Sequence, residues 1–297
     1  MLKNLLNFFK RSNVTEPPYD YYFLLNLDKS EYPKYLKKLY KFYTGRNLNL
    51  NHPKTFTEKI QYIKLYNATP LKTRCTDKIL VREYVNEKIG NKYLKPVLQI
   101  CDNFDEIYFA NLPNSFVIKC NHGCKWQYII KDKFEYLNNR KITEITRKQI
   151  SGWLEQDYSF FNGFELNYHG IQPKLLIEPL LRDKFNKNVE EIQVYCFNGV
   201  PKLFLRIEEG TNDRTTLYDE NLKILHEVLS ENDYNIHRPK DNTLELTSIL
   251  SKQLSKYFLF VRVDWMLFQN RLYFEEMTFT PYSGFHKFLN KDSDLKF

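Results

Sequence analysis

The stretch "FVRVDWMLFQNRLYFEEMTFTP", Phe260 to Pro281, sets Arg262, Asp264, Glu275 and Glu276 inside what otherwise reads as two apolar strands joined by a tight turn. Charge within a sheet is costly unless compensated, so this hairpin has to meet a metal ion, an anionic ligand or its own counter-charges. Alternate residues of a strand share a face. Arg262 and Asp264 therefore point together, while Val261, Val263, Trp265 and Leu267 point the other way, into a core. Which glutamate faces Asp264 depends on the turn. A two-residue turn at Gln269-Asn270 sets Asp264 opposite Glu275, and a three-residue turn centred on Asn270 sets it opposite Glu276. One residue of slip exchanges the faces. The three-residue turn gives the better core, with Met277 and Phe279 beside Val261 and Val263, at the cost of one misplaced glutamate. It gathers Arg262, Asp264, Glu276 and Thr278 on the other face. Facing carboxylates repel unless a divalent cation bridges them, and an arginine beside them suits a phosphate. The cluster reads as a magnesium-and-phosphate site, although an Arg262 ion pair with either acid accounts for the same stretch equally well.

A second basic signal lies upstream. Lys119 ends the apolar strand "FVIK" just before a glycine-containing turn, and Lys78 projects from the helix start "TDK". A lysine on an interior strand seldom serves solvation, whereas nucleotide phosphates give it a partner. The loop "CNHGCKW", Cys120 to Trp126, is able to lay backbone N–H groups over phosphate oxygens, though one glycine also fits a plain surface turn. "VIK" is shared with the strand lysine of protein kinases, but no "HRD" or "DFG" occurs, which argues against that class. Cys120, His122 and Cys124 lack a second Cys/His pair at finger-like spacing, so a zinc finger is not indicated.

The net charge of +8 favours anionic partners, namely nucleotide, phosphosugar, nucleic acid or a membrane surface, and selects none of them. Five irregularly spaced cysteines argue against a disulfide framework and fit a reducing cytoplasm. No segment has the apolar length to span a bilayer. The start "MLKNLLNFFKR" puts Leu2, Leu5, Leu6 and Phe9 on one helical face. Docking on the protein's own body is its expected use, with peripheral contact at a membrane surface the other.

Helical spacing marks Pro33 to Tyr43, stopped by Thr44-Gly45. Thr57, after Phe56, is placed to cap a helix through Ile60, Ile63 and Leu65, and "TDKILVREYVNEKIG" forms another that ends at Gly90. Strands follow at "SFVIKC", "YIIKD" and "KLLIEPLL", the last ended or edged by Pro179. A helix is expected near 143–156. "EIQVYCFNGVPKLFLRIE" is a hairpin turning at Asn198-Gly199, and a helix near 244–257 precedes the charged hairpin. The order predicts an α+β fold: a helical region at 1–70, a smaller lobe at 71–178, and a larger lobe at 179–297 carrying the metal site.

Together these motifs resemble the ATP-grasp superfamily. "TFTEKIQYIKLYN", "DKILVREYV", "LPNSFVIKCNHG" and the ending "TFTPYSGF" resemble its TupA-like branch, associated with teichuronopeptide and surface-polysaccharide synthesis; the match spans roughly Thr55 to Phe288. The resemblance implies two α+β lobes clasping a nucleotide, with ATP and Mg2+ as cofactors. It implies that Lys78 and Lys119 hold the ATP phosphates under a mobile loop around His122, Gly123 and Lys125. Glu178, Leu180 and Leu181 resemble the hinge that reads adenine, and Glu191 the acid near the ribose. Arg262 resembles the arginine on the transferred phosphate, and Asp264 and Glu276 the magnesium ligands, with Thr278 where many relatives carry asparagine. Thr280, Ser283, Gly284 and His286 form the expected substrate-side loop, a plain structural turn being the alternative.

The activity implied is an ATP-dependent carboxylate–amine ligase working through an acyl phosphate and releasing ADP. From the family's setting, the substrates would be a sugar carboxylate, free or nucleotide- or lipid-linked, and an amino acid or amino alcohol, joined during capsule or O-antigen assembly; the expected location is the cytoplasm, with the inner face of the membrane the further option. Two rivals remain: a kinase acting on a glycan precursor, and a non-catalytic basic protein binding acidic glycan or nucleic acid. No nucleic-acid motif supports the second rival.

Overall fold

The computed structural model describes residues 18–181, 189–208, 214–225, 242–286 and 294–295, so the amphipathic start lies outside the described residues. Among the described residues, three α-helices come first: α1 (Tyr21–Leu25), α2 (Tyr32–Thr44) and α3 (Phe56–Tyr66). The expected stop of α2 is realised by Gly45 at φ 73°, a left-handed position that only glycine takes without penalty. The cap of α3 differs from expectation. Thr55, not Thr57, receives the Glu58 N–H at 3.3 Å, and the Glu58 carboxylate takes the Thr55 N–H at 3.1 Å. This reciprocal capping box satisfies two otherwise orphaned donors. Thr57 lies inside the helix, where its N–H and hydroxyl donate to Asp294 at 2.9 and 2.8 Å.

Helices α4 (Pro70–Thr76) and α5 (Val81–Ile89) follow. The sequence grouped this stretch with the smaller lobe. Its buried side chains (Cys75, Val81, Tyr84 and Val85) instead lie in the core of the larger sheet.

The smaller sheet runs β1-β4-β2-β3, all antiparallel, from β1 (Gln99–Cys101), β2 (Phe116–Cys120), β3 (Gln127–Ile130) and β4 (Leu175–Pro179). Helices α6 (Lys133–Asn138) and α7 (Arg140–Leu154) lie between β3 and β4 in the chain. Phe116, Ile118 and Cys120 point into a core shared with Tyr136 and Ile150 of these helices. Alternation then sends Val117 and Lys119 to the opposite face. There the register of β2 and β4 adds Glu178, across from Val117, and Leu176, across from Lys119.

The larger sheet, β7-β6-β5-β8-β9, is built from β5 (Glu190–Phe197), β6 (Val200–Glu208), β7 (Arg214–Asp219), β8 (Phe260–Phe268) and β9 (Arg271–Thr278). Helix α8 (Thr243–Ser255) covers one face, burying Leu244, Leu250 and Leu254 against Ile192, Val194, Val261, Val263 and Trp265. The Trp265 indole N–H donates to Ser251 Oγ at 2.9 Å, so the largest core side chain buries no unmet polar group.

The β8–β9 turn has two residues, not three. Gln269 and Asn270 both sit at positive φ, 50° and 59°, the geometry that matches strand twist. Asp264 nonetheless faces Glu276. Pairing runs from Phe268↔Arg271 to Trp265↔Phe274 and then jumps to Asp264↔Glu276, which leaves Glu275 as the extra residue of a bulge. Leu272, Phe274, Met277 and Phe279 thus all reach the core. Glu275 and Glu276, although consecutive, both reach the polar side.

Candidate active site

The bulge gathers the charges named in the sequence. The Arg262 guanidinium grips Asp264 with two hydrogen bonds, Nε to Oδ1 at 2.7 Å and Nη2 to Oδ2 at 2.6 Å. The same Nη2 is 3.3 Å from Thr278 Oγ1 and 3.9 Å from Glu276 Oε1. Both acids converge on the Thr278 hydroxyl, Glu276 Oε1 at 3.0 Å and Asp264 Oδ2 at 3.4 Å. Burial pushes the Asp264 carboxyl up to about 8 against the pull of Arg262, and Glu276 adds to the rise. The ion pair and the facing acids, set out as alternatives from the sequence, therefore coexist.

These residues fit a hard divalent cation. Magnesium prefers one or two carboxylates completed by water and phosphate oxygens, and Asp264, Glu276 and Thr278 supply oxygen alone. Gln193, across from Asp264 on β5, adds a buried side-chain oxygen with no hydrogen-bond partner. Beside it, Glu191 accepts from Gln193 Nε2 at 2.7 Å, and burial raises the Glu191 carboxyl above its usual range.

Lys78 and Lys119 approach this sheet from the other side of a cleft. Lys78 Nζ lies 4.0 Å from Glu276 Oε2 and donates to the Gly123 carbonyl at 2.7 Å. Its backbone N–H bonds the Asn121 carbonyl at 3.1 Å. The turn expected to offer N–H groups to phosphate thus presents carbonyls to Lys78. His122 is buried, with Nε2 3.1 Å from the Trp153 carbonyl, and burial holds its pKa below the ordinary value. A Cβ at Gly123 would lie 2.4 Å from the Trp126 ring, so glycine is what lets that indole pack beneath the turn. Lys125 is exposed, at φ 61°.

Lys119 is engaged with two acids, Glu275 Oε1 at 2.7 Å and Glu178 Oε2 at 3.0 Å. Lys95, just before β1, contacts the same two carboxylates, reaching Glu178 at 3.3 Å, and Arg82 of α5 reaches Glu178 Oε1 at 3.3 Å. Burial opposes the Lys119 charge, but Glu275 and Glu178 outweigh it and raise its pKa. Burial likewise disfavours the Glu275 carboxylate, which Lys119 and Lys95 hold well below the usual range. Glu178, expected at a hinge with Leu180 and Leu181, is in this structure a buried counter-ion; Leu180 and Leu181 are half-buried just beyond β4.

The expected substrate loop is docked on distant parts of the chain. Thr280 donates to the buried Glu165, and Lys64 of α3 bonds Ser283 Oγ at 2.8 Å and its carbonyl at 3.0 Å. Gln61 donates to the Gly284 carbonyl at 2.8 Å, and a Cβ at Gly284 would strike Ile60. Burial lowers the His286 pKa to about 4, and its ring lies 4.8 Å from that of Tyr282. Tyr282 and Ser283 both adopt left-handed backbone, φ 51° and 52°. Burial raises the Tyr282 hydroxyl pKa, and Arg262 partly offsets it. Sequence reasoning missed Arg82, Lys95 and Tyr282. The only available sign was the left-over Glu275, which called for a cation.

A solved ATP-grasp ligase, PsnB with its minimal precursor, is similar at 8% identity and TM-score 0.40, covering 71% of this chain and 55% of its own. D-alanine–D-alanine ligase from Bacillus anthracis with ATP is similar at 15% identity and TM-score 0.43, covering 77% of this chain and 63% of its own. L-amino acid ligase from Bacillus licheniformis is similar at 12% identity and TM-score 0.45, covering 75% and 48%. The chain therefore spans about half to two thirds of the length of these solved chains. No curated protein matches its sequence. A family model described as TupA-like ATP-grasp matches residues 58–297, and the chain belongs to that family.

Proposed function

We propose that this protein is an ATP- and magnesium-dependent carboxylate–amine ligase. The observation that carries the reading is the convergence of Asp264, Glu276 and Thr278 beside Arg262, with Lys78 4.0 Å from Glu276 and Lys119 bonded to the adjacent Glu275. In the overall reaction a substrate carboxylate takes the γ-phosphoryl group of ATP, ADP leaves, and an amine displaces phosphate to form an amide. Bound magnesium would supply positive charge against the triphosphate, held by Asp264 and Glu276 with Thr278 beside them.

The chain's own residues bind and orient. Lys78, Lys119 and Arg262 present cations to phosphate oxygens; such transfers are accelerated largely by positioning and charge stabilisation. Val81, Leu176 and Phe274 line the small pocket beside the Lys119–Glu275 contact. Glu178, Leu180 and Leu181 are assigned to the adenine end, Glu191 to the ribose, and the Thr280–His286 loop to the second substrate. The finer reading, from the family's setting, is a uronic-acid sugar joined to an amino acid or amino alcohol in capsule or O-antigen assembly, at the cytoplasmic face of the membrane. The lobes are assigned as 71–178 and 179–297, after a helical region to residue 70, with α4 and α5 of the first packing on the sheet of the second.

Magnesium-dependent protection by ATP against thermal unfolding tests the site, since a ligand of the folded state raises its apparent stability. Mass spectrometry of reactions holding ATP, magnesium, uronates and amines tests the reaction. Asp264→Asn and Glu276→Gln should each lower turnover at least ~100-fold while the fold persists. Wild-type turnover in either variant would count decisively against the metal assignment.

A further inference from the structure

Glu275 is the bulged residue of β9 in the larger sheet, and Lys119 belongs to β2 of the smaller one. Their 2.7 Å contact therefore crosses the cleft and ties one sheet to the other. Lys95 contacts the same carboxylate, and Glu178 joins both lysines from β4. Lys95 and Lys119 are only 5% and 6% exposed, so each ammonium has given up most of its water for these two acids. A phosphate entering between the sheets needs the same ammonium hydrogens. Lys119 directs two of its three donors to carboxylates and keeps one, so an entering phosphate and Glu275 contend for the charge of the same ammonium.

We infer that Glu275 is an internal counter-anion that occupies Lys119 and Lys95 until nucleotide phosphates displace it, and that Lys95 is a phosphate-binding residue alongside Lys119. The inference rests on the nucleotide reading of this cleft and deepens it. The bulge supplies the device. With ordinary alternation, Phe274 in the core and Glu276 across from Asp264 would leave no residue between them; the extra residue reaches the lysines without disturbing the paired acids. Nucleotide affinity is then reduced by the fraction of molecules in which Glu275 holds the lysines.

Titration calorimetry with the full chain tests this, using Mg-ATP and adenosine as probes. Glu275→Gln keeps the side chain's shape and removes its charge. It should tighten Mg-ATP binding about tenfold and leave adenosine, which carries no phosphate, within about twofold. Lys95→Met should weaken Mg-ATP binding by a similar factor. Unchanged or weaker Mg-ATP binding in Glu275→Gln overturns the inference while leaving the nucleotide site intact, as does an equal change for adenosine. Absence of Mg-ATP binding by the wild-type chain removes the nucleotide reading, and the inference with it. Should Glu275→Gln fail to fold, Glu275→Asp, too short to hold both lysines, should shift affinity in the same direction and is judged by the same outcomes.

Discussion

Lys72 has a chemistry at odds with its place. It is 2% exposed, with Nζ 2.5 Å from Asn67 Oδ1 and 5.3 Å from the centre of the Phe279 ring. Burial lowers its pKa from 10.5 to about 8. The folded chain thus releases this proton more readily than the unfolded chain, so stability should rise from pH 8 towards 10.5 and the penalty should be fully present at pH 7. Lys72→Met keeps the aliphatic stem and removes the charge. It should raise stability at pH 7 by roughly 1–3 kcal/mol, an advantage that shrinks as pH climbs past 8. Thermal melts at pH 7 and 9.5 measure this, and a variant less stable than wild type at pH 7 would show that the ammonium is wanted where it sits. The site residues show why some roles are legible in sequence and others are not. Asp264 and Glu276 stand out because acids inside an apolar strand demand an explanation. Lys95 and Arg82 sit in ordinary surface-like context, and their partner Glu178 lies 96 residues from Arg82.

At the scale of the element, the charged hairpin can be read from its spacing. Leu272, Phe274, Met277 and Phe279 are separated by two, three and two positions, and the odd step marks the bulge. Read with strict alternation, the same facts required a three-residue turn. That turn put Glu276 in the right place for the wrong reason, because turn type and a bulge four pairs further on shift the register equally. The strands of the two long hairpins were plain from their apolar runs, whereas β1 and β7, edge strands of their sheets, had no such signal. Deleting Glu275 should restore ordinary alternation with Asp264 still across from Glu276, leaving a folded chain. Inserting one alanine between Glu276 and Met277 should turn Met277 and Phe279 out of the core and abolish cooperative unfolding. Near-ultraviolet circular dichroism and thermal melts separate the two outcomes, and similar melts for both chains would contradict the bulge register.

Taken whole, the molecule is an ATP-grasp fold braced by a helical region in front of it. Helices α1 and α2 lie outside the family match, which begins at residue 58. Leu24, Tyr32, Leu36, Leu39 and Tyr40 nonetheless bury Phe160 and Phe164, Tyr32 stacking on Phe164 at 4.3 Å. Removing residues 1–50 uncovers that patch. The shortened chain should be insoluble or should melt at least ~10 °C lower, and a melt within ~3 °C of the full chain would show the brace to be dispensable. Alternation and helical spacing announce a buried face but never its partner, which is why this packing and the placement of α4 and α5 on the larger sheet were not foreseen.

The loop after β9 pays twice for its shape. Tyr282 and Ser283 hold consecutive left-handed conformations that glycine would adopt freely, each at a cost on the order of 1 kcal/mol. A chain shaped for endurance alone would carry two glycines there. That a phenol and a hydroxyl stand in their place sets durability against what those side chains do.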